Sequence, residues 1–278
     1  MTLSSLISPS VFLLALTTMA CYGPNFNQSC FSCTQSSDCP GTAPCIEGQC
    51  AGGSCVPSPP GMVQVTGGTF TMGSTPATDP AARSDEAPLR RVAVGSFFLD
   101  RTEVTVGAYR QCKACSAPAV GPNCTFTVQG GDRESLPVNC VDAAQAAAYC
   151  QAQGKRLPTE VEWEYAARGS ADSLYPWGNQ APGTTSACWK KSAPCPVGSF
   201  SDTLLGSEVA SGTGLVDLAG NLWEWTATTY CLYDGGGCTG APVLRGGAFN
   251  RTDAATLRGA QRNATNGQPV DAGFRCAR

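Results

Sequence analysis

Seventeen cysteines and no histidine bound the chemistry open to this 278-residue chain. Without imidazole there is no Ser-His or Cys-His nucleophile, no histidine-ligated metal and no histidine pH switch. In a reducing compartment so many thiols would need metal or redox duty; in an oxidising one they are ordinary cross-links. Their distribution favours cross-links. With Cys21 set aside, six lie between 30 and 55 (Cys30, Cys33, Cys39, Cys45, Cys50, Cys55) and ten between Cys112 and Cys276. Both groups are even, so each can close on itself, as three and five disulfides with none between the groups. Cys30-x-x-Cys33 has zinc-like spacing but lacks the second close pair, or the histidines, that a zinc finger needs.

The rest of the composition narrows the partners. Eighteen Lys and Arg against twenty-one Asp and Glu give a net charge of −3, so no basic surface points to nucleic acid or an anionic membrane. Charged residues are 14% of the chain, against about 25% for an average globular domain, while 42% hydrophobic residues can build a core. Residues 6–16, LISPSVFLLAL, are too short to span a bilayer, and TTMA before Cys21 places a small residue next to a cysteine. This resembles a bacterial lipoprotein signal over 1–20, although Thr18 stands where leucine is usual. It implies that Cys21 carries lipid and that the protein is extracytoplasmic, held to the outer membrane, cell surface or periplasmic face by that lipid alone. Cleavage near Ala20 without lipid is the alternative. Residues 21–61, rich in Gly, Pro, Ser and Cys and ending in PSPPG, read as a disulfide-stapled spacer and linker.

Residues 62–278 read as an α+β domain with little regular structure, its long connections compensated by disulfides. Asp142 predicts a helix over AAQAAAYCQAQ, with Gln145 completing a capping box and Gly154 stopping it. Thr159 does the same for EVEWEYAAR, with Glu162 and Gly169. A third helix starts at Thr105, and VAVGSFFL at 92–99 is an apolar strand run.

On these elements stand GGTFTMGS (67–74), DEAP (85–88), FFLDRTEVT (97–105), GKRLPTEVEWEYAARG (154–169), YPWGN (175–179), GLVDLAGNLWEWT (214–226), LRGGAF (244–249) and AGFRCAR (272–278). Eight motifs in this order resemble the formylglycine-generating enzyme, or sulfatase-modifying factor, family over residues 62–278. The resemblance implies an irregular fold related to C-type lectins, often with bound calcium. In active members two cysteines five positions apart, just after the RGG motif, hold copper, which with oxygen turns a sulfatase cysteine into formylglycine. Here those positions read Arg251 and Thr256. Copper(I) is soft and needs sulfur, whereas guanidinium is a permanent cation, so copper is not expected. Cys231 and Cys238 could supply a displaced pair, but the even cysteine count reads them as a disulfide closing YDGGG. A second branch of the superfamily binds iron through histidines, which this chain lacks.

The resemblance also maps a calcium site onto DLAGNLWEW: Asp217 and Glu224 as side-chain ligands, Gly220 and Leu222 through backbone carbonyls. Hard oxygen donors on a tight loop suit calcium. The alternative is that Asp217 caps a turn and Glu224 pairs with an arginine. A second family calcium site loses its carboxylate and amide positions, which fall at Gly198 and Cys188. Trp163, Tyr165, Trp177, Trp223 and Trp225 read mostly as core, and Arg245, Arg258, Arg262 and Arg275 as salt-bridge partners. Arg251 lies where the family's substrate groove meets its reactive centre and is the candidate ligand contact. The leading function is therefore a lipid-anchored, non-catalytic binding or accessory module for a peptide, protein or glycan. The alternative is a formylglycine-generating oxidase with an atypical copper site.

Overall fold

In the computed structural model, residues 59–200 and 214–278 are described, with the backbone of 45–46 and 49–50. Signal, lipidation site, Cys30-x-x-Cys33 and the three disulfides expected within 30–55 lie outside the described residues. The chain divides into two units, Met1–Pro57 and Ser58–Arg278. In the first, β1 (Cys45–Ile46) and β2 (Gln49–Cys50) pair antiparallel, Cys45 opposite Cys50.

The second unit has an α+β architecture assembled from small pieces. Strand β3 (Met62–Val65) pairs antiparallel with β6 (Phe97–Asp100), and β4 (Gly68–Met72) with β5 (Arg90–Val94). The run 92–99 is thus two strands rather than one. The chain leaves β5 at Gly95, and the Ser96 hydroxyl accepts from the Gly67 N–H at 2.9 Å, turning β6 toward a different partner. A four-stranded sheet has the order β10 (Ala272–Gly273), β7 (Trp223–Thr229), β8 (Pro242–Arg245), β9 (Arg262–Ala264), with β10 parallel to β7 and the other pairs antiparallel.

The three helices begin where local chemistry says they should. Thr105, Asp142 and Thr159 each accept an N–H of the first turn, opening α1 (Val106–Gln111), α2 (Ala143–Ala152) and α3 (Glu160–Arg168). Both capping boxes, Asp142 with Gln145 and Thr159 with Glu162, are complete. One core gathers α1, α2, Trp225 and Phe274; a second gathers β3, β4, β6, Trp163 and Tyr165.

Helix α3 also buries charge. Glu160, Glu164 and Arg168 recur at helical spacing on a buried face. Arg245 bonds Glu164 at 2.6 Å and Glu160 at 3.1 Å, while Arg262 meets Glu160 at 2.6 Å. Arg258 bridges Asp79 and Glu86, each at 2.6 Å. Five disulfides complete the unit: Cys112–Cys115, Cys124–Cys140, Cys150–Cys276, Cys188–Cys195 and Cys231–Cys238. They pair all ten cysteines of the second group with one another, including the pair expected to close YDGGG.

Candidate functional site

Three loops knit together around the loop that enters β7. The Asn221 N–H donates to Cys188 O and the Gly220 N–H to Gly246 O, while Phe249 N–H donates to Asn221 O, each at 2.8 Å. Lys191 N–H then reaches Phe249 O at 2.8 Å, and Lys190 N–H reaches Arg251 O at 3.0 Å. The 217–221 turn needs left-handed backbone at Asp217 (φ 58°), Gly220 (φ 79°) and Asn221 (φ 56°). A side chain at Gly220 would also place its Cβ 2.5 Å from Cys188 O. Glycine is required there on both counts.

Of the four positions mapped to calcium, the two carboxylates are both buried, each about 1% exposed. Asp217 accepts from the N–H groups of Gly198, at 2.5 Å, and Phe200, at 3.2 Å. Glu224 accepts from Arg275 through Nη2 at 2.7 Å and Nε at 2.8 Å, and from Trp163 Nε1 at 2.8 Å. Arg275 also donates to the carbonyls of Asp100, Arg101 and Val216. The arginine partnership foreseen as the alternative for Glu224 therefore exists. Gly220 and Leu222 lie on the same turn and are themselves buried. Cys188 is spent in a disulfide with Cys195, and Gly198 serves only as a backbone donor to Asp217.

The sequence reading overlooked a third carboxylate. Glu103 sits between β6 and α1, 1% exposed. Its Oε1 accepts from Asn221 Nδ2 at 2.9 Å, whereas Oε2 is buried without a hydrogen-bond partner. Burial raises the Glu103 carboxyl well above the usual carboxylate range, and the neighbouring Asp217 and Glu224 charges add to this while Arg275 opposes it. Burial likewise raises Asp217, against its two backbone donors and Arg275. Among the described residues no three Asp, Glu, Cys or His side chains form a group able to hold a metal by themselves.

The second half of the site is the segment Phe249–Arg251. Arg251 forms an ion pair with Asp271, and its guanidinium lies 6.0 Å from the centre of the Trp223 ring. Arg251 Nε and Trp223 Nε1 are both buried donors without an acceptor. Beside them a cleft of about 370 Å³ is lined in part by Asn123, Arg133, Lys191, Pro194 and Asn250, and among the described residues no acidic side chain lines it. Thr256 sits in a single 3-10 turn, its hydroxyl donating to Asp253 O at 2.7 Å. Among the described residues no hydrogen bond or ion pair joins Arg251 to Thr256. Trp163, Tyr165, Trp223 and Trp225 are buried, and Trp177 is half-buried against Tyr175.

Sequence reasoning named Arg251, Asp217 and Glu224 but missed Glu103, Asn221 and Asp271. Glu103 and Asn221 stood inside motifs quoted for the resemblance. The signal for Asp271 was a charged residue directly before a buried Ala-Gly-Phe strand.

Comparison with known proteins matches residues 49–278 to the sulfatase-modifying factor enzyme 1-like domain. The chain is 30% identical to inactive C-alpha-formylglycine-generating enzyme 2 of Bos taurus, covering 78% of this chain and 87% of that protein. It is 31% identical to the formylglycine-generating enzyme of Bos taurus, covering 80% and 75%. The structure of PvdO from Pseudomonas aeruginosa superposes with a TM-score of 0.61 at 25% identity, over 78% of this chain and 93% of that one.

Proposed function

This chain belongs to the sulfatase-modifying factor enzyme 1-like family, and from that premise we propose that it is a non-catalytic, extracytoplasmic binding member. One observation carries the reading: every cysteine of the domain is committed to a disulfide, while the positions matching the family's copper ligands are Arg251 and Thr256. A soft copper(I) ion then has no thiolate to hold it. Cys231 and Cys238, the displaced pair of the oxidase alternative, are bonded to each other. Five disulfides accord with an oxidising compartment, and among the described residues no helix is long and apolar enough to cross a membrane. A lipid on Cys21 would supply the attachment; an intact mass showing an unmodified cysteine there would remove it.

Binding is proposed at Arg251. Two buried, unpartnered donors, Arg251 Nε and Trp223 Nε1, each carry a desolvation cost of about 1–3 kcal/mol until an acceptor meets them. The adjacent cleft presents Arg133 and Lys191 and, among the described residues, no acid, so the ligand carries carboxylate or sulfate oxygens, on a peptide, protein or glycan. Incubating the purified protein with a sulfatase-type cysteine peptide, copper and oxygen should leave that cysteine unchanged by mass spectrometry. Formylglycine above a metal-free control would restore the oxidase.

Calcium is proposed as a structural ion on the 217–224 loop. The donor set is hard oxygen, with two carboxylates and the Gly220 and Leu222 carbonyls. Glu103 and Asp217 are buried beside the Glu224–Arg275 pair, which places further oxygen donors next to the loop. A bound cation would hold the loop and fix the base of the Phe249–Arg251 segment above it.

A further inference from the structure

We propose that Asp271 is a built-in competitor at the Arg251 site, a carboxylate of this chain that a carboxylate-bearing ligand displaces in order to bind. This rests on the anion-binding reading of Arg251 and adds the group the ligand presents and the contact that regulates its entry.

The ion pair uses the guanidinium incompletely. Nε–H and one Nη2 N–H of an arginine point along a common edge that matches the two oxygens of a carboxylate. At Arg251 the Nη2 of that edge is bonded to Asp271 Oδ2, whereas Nε is buried and has no acceptor. Asp271 therefore fills half of the edge. The same Oδ2 is also the acceptor for Asn250 Nδ2, a long contact at 3.5 Å. A carboxylate that meets both donors replaces one charge-assisted bond by two and satisfies the orphaned Nε.

Asp271 is held where it cannot do this itself. Its carbonyl accepts from Trp223 N–H at 2.9 Å, while Arg251 N–H donates to Ala248 O at 3.1 Å and Arg251 O accepts from Lys190 N–H at 3.0 Å. With both main chains pinned, the short aspartate side chain meets the edge from a fixed direction, and its release needs only side-chain rotation.

Exposure separates this pair from the core pairs of the domain. The Arg251 side chain is 37% exposed and that of Asp271 14%, whereas Arg245–Glu164, Arg262–Glu160 and Arg275–Glu224 are each at 3% or less on both sides. An ion pair open to water is held weakly and exchanges readily. The pair also adjoins the cleft, because Asn250 and Val270, the residues directly before Arg251 and Asp271, line it together with Arg133 and Lys191. Those two cations draw an anionic ligand toward the pair. A ligand without a carboxylate leaves Asp271 in place.

The test uses the purified full-length protein with disulfides intact and acetate as the probe, at constant ionic strength. The Arg251 Nε–H resonance, identified by its loss in Arg251→Lys, is followed by proton NMR through the titration. Asp271→Asn keeps the shape of the side chain and removes its charge, so it should bind acetate tighter than wild type by about threefold or more. Asp271→Glu keeps a competing carboxylate and should show no such gain. A residue that merely orients Arg251 gives the opposite result, weaker acetate binding in Asp271→Asn. That outcome overturns the proposal, as does equal affinity in the two proteins. If Asp271→Asn does not fold, Asp271→Ala takes its place with the same expected gain and the same overturning results. Equal affinities with a responsive Nε–H remove the competitor and leave the anion site standing. A resonance that acetate moves in none of the proteins removes the anion reading of Arg251 itself.

Discussion

Glu160 and Arg262 lie 102 residues apart in sequence and meet at 2.6 Å, Oε1 to Nε, in the core. Arg245 Nε bonds the same oxygen at 3.1 Å, so one carboxylate opening α3 holds the ends of β8 and β9 together. Removing it leaves the buried Arg262 without its carboxylate and Arg245 with Glu164 as its remaining acid. Glu160→Ala should cost about 3–5 kcal/mol, read as a lower denaturation midpoint with disulfides intact. A loss below 1 kcal/mol would mean that water replaces the carboxylate.

Glu164 makes acid stability testable. Burial alone would raise its carboxyl, but Arg245 and Arg168, with the Gly73 N–H, outweigh burial and hold it below the usual range. A carboxyl depressed on folding gives stability that is fully present above its unfolded pKa, about 4.3, and lost as pH falls through the lower folded value. Denaturation measured from pH 6 downward should therefore fall more gently in Glu164→Gln than in wild type over that window. Parallel slopes would contradict the assignment.

The disulfides should differ in weight. Cys150–Cys276 spans 126 residues and Cys112–Cys115 only three. Loop-closure entropy assigns about 5 kcal/mol to the first and about 2 kcal/mol to the second. Replacing each pair by serine and comparing equilibrium unfolding checks the order. Equal losses would place the stabilisation in native packing instead.

Arg251→Cys combined with Thr256→Cys restores the family's thiol positions. The double variant should bind copper(I) where wild type binds none, measured by competition with a chromophoric copper(I) chelator. Failure to bind, in a variant that melts like wild type, would show that the 3-10 turn holding Thr256 no longer brings the two positions together.

Much of this was legible in the residues. Asp142 and Thr159 marked their helices because a cap and its box partner are local hydrogen bonds, set by spacing alone. The even cysteine count anticipated closure within the domain by parity alone, and it left the pairing, including Cys150 with Cys276, to the folded chain. Gly95 was less informative: whether a glycine bends one strand or separates two depends on which neighbours β5 and β6 find, and those lie far along the chain. Glu103 stayed hidden because a carboxylate in a strand-to-helix connection ordinarily faces water. Its burial depends on Asn221, 118 residues away. Arg251 was visible as a departure from the family pattern, but its pairing with Asp271 came from the folded chain.

Strand β6 lies between the two ends of the domain. Met62 pairs with Asp100 on one of its edges, and on the other Arg278 exchanges hydrogen bonds with Phe98 at 2.8 and 2.9 Å. With strands about 4.8 Å apart, the points where the chain enters and leaves sit roughly 12 Å from each other. A short glycine-serine bridge could join them, and the circle could be reopened in the exposed Gly235–Gly237 loop to give a permuted protein. For the same reason the whole domain could be spliced into a surface turn of an unrelated host, both attachment points emerging side by side.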